Sequence, residues 1–153
     1  MQLARRRGAN VIAVAGRSKA AEVKALGASR VVDRESDLTS QLERESVDVV
    51  VDVVGGRQFP QLLEILKRAG RYAVAGAIAG PIVGLDLRTL YLKDLRLIGC
   101  TVLEPGIFKN LIGYIERGEI KALVSATYPM REIVAAQKDF LTKSHVGKIV
   151  LTP

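Results

Sequence analysis

The segment VDVVVDVVGG, residues 47–56, decides the fold class of this chain of 153 residues. Its valines are β-branched and the run is too short for a buried helix, so the pattern favours a strand. The strand ends in Gly55 and Gly56, which suit a tight turn. Asp48 and Asp52 interrupt the valines, and side-chain alternation places Asp52 in the opposite register to its neighbours. We therefore predict that the Asp52 carboxylate makes a structural hydrogen bond.

Outward from this strand, one local arrangement recurs, in which a short helix ends in glycine and an apolar strand follows. It is present as LARRRGANVIAV and EVKALGASRVVD, and less regularly as ILKRAGRYAVAG. Glycine just past a helix adopts the left-handed conformation that ends it, so Gly8, Gly27 and Gly70 each predict a helix end. The predicted strands of this arrangement cover residues 11–15, 30–33 and 71–75. A helix is predicted over residues 57–69, between the valine-rich strand and the strand at 71–75.

Strands that alternate with helices of about ten residues indicate βαβ units and a parallel sheet. The predicted fold class is α/β, with a Rossmann-type doubly wound sheet that binds ligands beyond the carboxyl ends of its strands. One glycine-rich strand tip would indicate only a tight turn, but several on the same edge favour a ligand groove. The small residues at these tips are Ala15-Gly16, Gly55-Gly56 and Gly76-Ala77.

The pattern changes along the rest of the chain. A loop around Gly80 and Gly84 precedes a short amphipathic helix, an apolar strand and a longer helix. From residue 123 onward, a strand, a helix and a closing strand form a segment that departs from the nucleotide-binding pattern. The predicted elements after the loop cover residues 85–95, 95–102, 105–118, 123–128, 132–142 and 147–151.

Composition limits the classes of protein to which the chain can belong. Apolar residues make up 48% of the chain and aromatic residues 5%, so the core is aliphatic. No apolar run approaches the roughly 18 residues of a membrane helix, and no signal-peptide pattern opens the sequence. Cys100 is the single cysteine, which excludes an intramolecular disulfide and a cysteine-based zinc cluster. These features predict a cytoplasmic protein without a membrane partner.

The formal net charge of +7 raises the alternative of nucleic-acid binding. The basic residues are scattered, however, with one run of three at residues 5–7 and few aromatic side chains for stacking on bases. Attraction to anionic small molecules is the better interpretation of this charge. We therefore predict a small-molecule substrate and no nucleic-acid partner.

Four segments, taken in order, carry a resemblance to a known family: VDVVVDVVGG, GRYAVAG, LKDLRLIGCTV and HVGKIVLTP. Together they resemble the medium-chain dehydrogenase/reductase superfamily, in particular its quinone oxidoreductase-like, enoyl reductase and zinc-type alcohol dehydrogenase-like members. The resemblance covers essentially the whole chain. It implies a partial NAD(P)-binding Rossmann domain over residues 1–122 and a segment returning to the catalytic domain over residues 123–153.

The opening MQLARRRGA is similar to the later part of the first Rossmann helix in that family. This implies that the first strand and the Gly-rich pyrophosphate loop are lacking, and that the chain is a carboxyl-terminal piece of such an oxidoreductase. In the strand order 3-2-1-4-5-6, the first strand lies between those at residues 11–15 and 49–54, so both are left with an unpaired edge. Either the polypeptide is longer, a partner supplies the strand, or the flanking strands rearrange to meet.

The residues after the strand at 11–15 predict the cofactor. Dinucleotide folds place an acid at the end of the second strand when they bind the ribose 2′-hydroxyl. Here the strand ends at Gly16 without an acid, and Arg17, Ser18 and Lys19 follow. A guanidinium, a hydroxyl and an ammonium suit a dianionic 2′-phosphate, and Arg34 resembles a further phosphate contact of the family. We therefore predict NADP(H) rather than NAD(H), given the family assignment.

The alternative interpretation of these residues is structural. Ser18 would cap a helix over residues 19–26, while Arg17 and Lys19 would be solvated surface residues.

The resemblance also implies that Val54, Gly55, Gly76, Ala77 and Ile78 line the nicotinamide and its ribose by backbone contact. No catalytic acid–base residue and no metal ligand can be named.

Two residues near the end of the chain are weaker candidates. Lys143 matches a position where relatives sometimes place a cation near the cofactor. His145 is the single histidine and is expected at the surface rather than in catalysis.

The resulting hypothesis is an NADPH-dependent oxidoreductase that transfers hydride to an activated alkene, a quinone or a carbonyl. The alternative is a non-catalytic remnant or interaction module that retains the fold. We also predict a homodimer through residues 95–102, LRLIGCTV, since a long apolar edge strand is an open template for pairing. The alternative is that residues 80–84 and 87–93 cover this edge.

Overall fold

A computed structural model describes residues 1–102 and 104–153 of the chain. The fold divides into two compact units. One consists of Met1–Val31 together with Pro105–Pro153, and the other is Val32–Glu104. The division after residue 122 that the resemblance implies concerns the organisation of the family, and it stays a prediction.

Helices and strands alternate along the described residues. The helices are α1 (Gln2–Arg6), α2 (Ala20–Ala25), α3 (Leu38–Gln41), α4 (Phe59–Ile65), α5 (Leu87–Leu92), α6 (Ile107–Glu116) and α7 (Ile133–Thr142). The strands are β1 (Ile12–Ala15), β2 (Arg30–Asp33), β3 (Val47–Asp52), β4 (Leu66–Val74), β5 (Arg96–Gly99), β6 (Val124–Pro129) and β7 (Lys148–Thr152). Within the part of the chain described here, none of the helices has both the length and the apolar character needed to span a bilayer.

The strand pairing is parallel within β3, β4 and β5 and between β6 and β7, as the alternation of strands and helices predicts. In the second unit the order is β3-β4-β5, with Val50 opposite Tyr72 and Tyr72 opposite Leu97. In the first unit β6 pairs with β7, also in parallel. Strands β1 and β2 form a further two-stranded sheet. The α/β fold class with Rossmann-type parallel pairing is therefore confirmed.

Strands β1 and β3 are the two strands for which the sequence predicts an unpaired edge. Strand β1 pairs with β2 and is an end of its two-stranded sheet, and β3 pairs with β4 at one end of the order β3-β4-β5. In the described residues, each of these strands thus has a single paired neighbour.

The core of the second unit lies between the sheet and the α4 helix. Its aliphatic side chains are joined by one aromatic pair, in which the rings of Phe59 and Tyr72 meet edge-to-face with their centroids 5.2 Å apart. Burial of each large side chain contributes about 1.5–3 kcal/mol to stability. The buried members of this cluster are Val50, Phe59, Leu63, Leu66, Tyr72 and Leu95.

Two of the three glycines predicted to end a helix in the left-handed conformation do so. Gly8 and Gly27 have φ angles of 79° and 104°, which only glycine adopts without strain, and they follow α1 and α2. The predicted helix over residues 57–69 begins close to Pro60 as expected but ends at Ile65, after which β4 starts.

The prediction that Gly70 ends a helix is wrong. Leu66 pairs with Val47, so residues 66–70 join the sheet. Ala69, with φ 59°, takes the left-handed conformation instead. Gly70 is needed for space, because a Cβ atom there would lie 2.7 Å from the carbonyl oxygen of Lys67.

Candidate functional site

The turn after β3 is organised by a buried carboxylate. Asp52, the last residue of β3, is 5% exposed. Its Oδ1 accepts hydrogen bonds from the backbone amides of Val54 at 2.7 Å and Gly55 at 3.1 Å. Its side chain thus folds back over the two residues that follow the strand. The predicted structural hydrogen bond of Asp52 is confirmed.

A tyrosine on the neighbouring strand holds the other oxygen of this carboxylate. The Tyr72 hydroxyl donates to Asp52 Oδ2 at 2.5 Å, and Tyr72 itself is buried. Burial raises the pKa of the Tyr72 phenol well above its usual range, and the hydrogen bond to Asp52 adds to the rise. The phenol therefore remains a donor over the whole physiological pH range.

Glycine is required where this turn meets the turn after β4. Gly55 and Gly56 have φ angles of 64° and 71°. A Cβ atom on Gly55 would lie 2.8 Å from the carbonyl oxygen of Gly80, and one on Gly76 would lie 2.9 Å from that of Val53. The two turns are therefore in backbone contact that a larger residue would prevent.

Backbone hydrogen bonds join the two turns along their length. The pairs are Ala75 N to Asp52 O at 2.9 Å, Ala79 N to Val54 O at 2.8 Å and Gly56 N to Gly80 O at 3.1 Å. Because β3 and β4 are parallel, both turns lie at the carboxyl edge of the sheet, where ligands bind in open α/β folds. The structure thus brings together five predicted site residues: Val54, Gly55, Gly76, Ala77 and Ile78.

Exposed apolar side chains surround these turns. Ile78 is 84% exposed, Val53 57% and Val54 43%. A planar organic ring can pack on such side chains, while the adjoining backbone supplies hydrogen-bonding groups.

The predicted phosphate-binding residues after β1 lie in the first unit. Gly16 precedes a short 3-10 turn over Arg17–Lys19, in which Arg17 and Ser18 are exposed. The N-cap residue of α2 is Lys19, so the alternative in which Ser18 caps this helix is wrong. The turn presents a guanidinium and a hydroxyl at the end of β1.

Lys19 contacts a distant part of the first unit. Its half-buried ammonium donates to the carbonyl oxygens of Lys143 at 2.6 Å and His145 at 2.9 Å, in the turn that follows α7. The predicted role of Lys19 in phosphate binding stays a prediction. Arg34 belongs to the second unit, where its Nε lies 3.3 Å from Glu35 Oε1, and its role also stays a prediction.

The turn after α7 contains both weaker candidates. Lys143 has φ 56°, and its ammonium lies 3.8 Å from the centroid of the Phe140 ring. The His145 ring is 5.6 Å from the same ring, and its Nδ1 is buried without a hydrogen-bond partner in the described chain. His145 is half-buried, and the expectation that it lies at the surface rather than in catalysis stays a prediction.

Sequence reasoning missed Tyr72 and the segment at residues 79–80. Tyr72 is the one aromatic residue of β4, and this was the available signal. Gly80 is followed by Pro81, which marks a turn but does not reveal its contact with Gly56.

The sequence profile of the zinc-binding dehydrogenases matches residues 1–117 of the chain. The chain belongs to the zinc-binding dehydrogenase family. The resemblance to medium-chain dehydrogenases and reductases is therefore confirmed, and the known members identify an oxidoreductase family.

Three similar proteins illustrate what the chain resembles within this family. It is 29% identical to an acryloyl-coenzyme A reductase of Metallosphaera sedula, over 99% of the chain and 46% of the reductase. It is 28% identical to a 2-haloacrylate reductase of a Burkholderia species, over 98% of the chain and 50% of that enzyme. A solved structure from Sinorhizobium meliloti 1021, provisionally described as an alcohol dehydrogenase, is 49% identical with a TM-score of 0.92, over 99% of the chain and 44% of that protein.

The chain spans about half the length of the relatives it matches. The name of the family points to a metal. Within residues 1–102 and 104–153, however, no three His, Cys, Asp or Glu side chains lie together in a way that could hold a metal ion. The described residues therefore do not fit a zinc site, and we derive no step through zinc.

Proposed function

We propose that this chain forms part of the cofactor-binding region of an NADPH-dependent oxidoreductase that transfers hydride to an activated alkene, a quinone or a carbonyl. The observation that carries the proposal is the pair of joined glycine turns at the carboxyl ends of β3 and β4, with Val54 and Ile78 exposed beside them. A nicotinamide ring fits this combination of apolar side chains and closely approached backbone. When bound, the nicotinamide supplies the hydride.

Activated alkenes are the favoured substrate class within this proposal. Two relatives are named for acryloyl-coenzyme A and 2-haloacrylate, and both substrates carry a carbon–carbon double bond conjugated to a carbonyl group. That carbonyl withdraws electrons and makes the β-carbon accept hydride. The task of the protein is then to position the ring and the alkene, with Val54 and Ile78 packing against the ring and the backbone of Gly55 and Gly76 lining its ribose.

NADPH is favoured over NADH by the residues after β1. The strand ends at Gly16 without a carboxylate that would repel a 2′-phosphate, and Arg17, Ser18 and Lys19 follow in one turn. Arg34 is a proposed phosphate contact on the ground of the family resemblance alone. Arg17 is the main determinant in this proposal, because an arginine fork matches phosphate oxygens in pairs.

The experiment is a reductase assay on the full-length protein. We expect the absorbance of NADPH to fall on addition of an acryloyl thioester, with the saturated thioester as product by mass spectrometry. NADH should support a slower reaction at the same concentration. Absence of NADPH oxidation with alkenes, quinones and carbonyl compounds alike would overturn the proposal.

A further inference from the structure

A charge is buried directly beneath the turn after β3. Among the described residues, Asp52 is the one buried residue with an acidic or basic side chain. Its donors are the Val54 amide, the Gly55 amide and the Tyr72 hydroxyl, all of which are neutral. These hydrogen bonds stabilise the carboxylate without cancelling its charge.

The same carboxylate fixes the shape of the turn. The amides of Val54 and Gly55 point inward to Asp52, while the side chain of Val54 is 43% exposed. Gly55 is held at φ 64° and ψ −149°, a conformation open to glycine alone. Loss of the carboxylate would leave two buried amides without acceptors and release the turn.

We propose that Asp52 is a positioning residue of the cofactor-facing turn, and that its buried charge makes this turn favour the oxidised nicotinamide over the reduced one. The oxidised ring carries a positive charge, and the reduced ring is neutral. This inference rests on the function proposed above. A fixed negative charge in a surrounding of lower dielectric than water attracts a cation and has little effect on a neutral ring.

Two variants separate the charge of Asp52 from its hydrogen bonds. Asp52→Asn removes the charge and keeps the size of the side chain. Tyr72→Phe removes one donor and keeps the charge. Asp48→Asn is the matched control, because Asp48 lies on the same strand but is exposed and pairs with Lys67 Nζ at 2.8 Å.

The first measurement is amide hydrogen exchange at Val54 and Gly55 in the full-length protein without cofactor. We expect exchange at both amides to accelerate several-fold in Asp52→Asn, because the asparagine oxygen can still accept their hydrogen bonds but lacks the strengthening that a charged acceptor gives. Asp48→Asn should exchange at the wild-type rate. Unchanged exchange in a folded Asp52→Asn protein would overturn the positioning role.

The second measurement is the ratio of the dissociation constants of NADP⁺ and NADPH. Asp52→Asn should raise this ratio by at least about threefold, as expected for loss of a nearby negative charge. Tyr72→Phe and Asp48→Asn should leave the ratio at its wild-type value. If Asp52→Asn does not fold, Tyr72→Phe still tests the proposal, because it keeps the charge of Asp52. A changed ratio of the NADP⁺ and NADPH dissociation constants in Tyr72→Phe would show that the preference does not come from that charge.

The two proposals fail in different ways. Equal weakening of NADP⁺ and NADPH by Asp52→Asn would show that Asp52 acts on the turn alone, and the charge part of this inference would be overturned. A wild-type protein that binds neither cofactor would overturn the proposed function and the charge part together. The exchange measurement would then still decide the positioning role.

Discussion

Arg17 is the residue on which cofactor preference is proposed to depend. It lies exposed in the turn that follows β1, next to Ser18. Its neighbour Lys19 already donates to two carbonyl oxygens, so a phosphate would have to compete for that ammonium.

We predict that Arg17→Ala weakens NADPH binding by about tenfold or more and spares NADH. A charge-assisted hydrogen bond to phosphate contributes about 1.5–3 kcal/mol. Dissociation constants for both cofactors check this, with Arg131→Ala, an exposed arginine far along the chain, as the control. Equal losses for NADPH and NADH would show that Arg17 does not contact the 2′-phosphate.

The hydrogen bond from Tyr72 to Asp52 has an effect on stability that can be measured. We predict that Tyr72→Phe lowers the free energy of unfolding by about 1–3 kcal/mol at pH 7, because the buried Asp52 loses a donor. The folded-state pKa of Tyr72 is raised above its ordinary value of 10.0, so its stabilisation is complete below that pH and is lost as the pH rises further. Urea unfolding at several pH values should show the difference between wild type and variant shrinking above pH 10. A difference that stays constant would contradict the assignment.

At the scale of elements, the joined turns after β3 and β4 depend on close backbone approach. Gly55 and Gly8 both have positive φ angles, but only Gly55 has a neighbour that a Cβ atom would strike. A substitution at Gly55 would therefore meet both a backbone conformation open to glycine alone and a close backbone neighbour, whereas at Gly8 no neighbour is within reach.

We predict that Gly8→Ala lowers the free energy of unfolding by about 1–2 kcal/mol, because a residue with a Cβ atom is strained in the left-handed conformation. Gly55→Ala should cost clearly more, since its Cβ would lie 2.8 Å from the backbone oxygen of Gly80. Urea unfolding of the two variants provides the comparison. Similar losses would mean that the contact between the turns relaxes easily.

Sequence patterns predicted most elements because each depends on neighbouring residues. The β-branched run at residues 47–52 forms β3, and the glycines at positions 8 and 27 end their helices as expected. The prediction that Gly70 ends a helix failed because residues 66–70 join the sheet instead. The deciding pair, Leu66 with Val47, connects residues that are too far apart in sequence for a local pattern to show.

The candidate site was predictable in part for the same reason. Glycine-rich strand tips and the register of Asp52 are visible in the sequence. The Tyr72 hydroxyl meets Asp52 across 20 residues, and the Lys19 ammonium meets Lys143 across 124. Such pairings follow from the completed fold.

At the scale of the whole molecule, β5 is the end strand of its sheet and the proposed site of dimerisation. Leu97 and Ile98 on this strand are 40% and 42% exposed, and Val102 just beyond it is 87% exposed. An apolar edge strand of this kind pairs readily with a second copy about a two-fold axis.

We predict that Ile98→Pro shifts the full-length protein from dimer to monomer, because proline removes a backbone donor from the edge. Ile82→Pro is the control, since Ile82 is 89% exposed and lies outside the strands. Light scattering at tens of micromolar checks the masses. A monomeric wild-type protein would show that the edge is covered.

The discontinuous first unit has a consequence for the order in which the chain acquires its structure. The second unit is one continuous stretch, Val32–Glu104, and can complete its contacts as soon as that stretch has left the ribosome. The first unit joins Met1–Val31 to Pro105–Pro153, and the bonds between Gln2 and Lys121 close a loop of more than a hundred residues. Closing so long a loop is entropically costly and slow. During synthesis, residues 1–31 must therefore wait for residues 105–153 before the first unit can form.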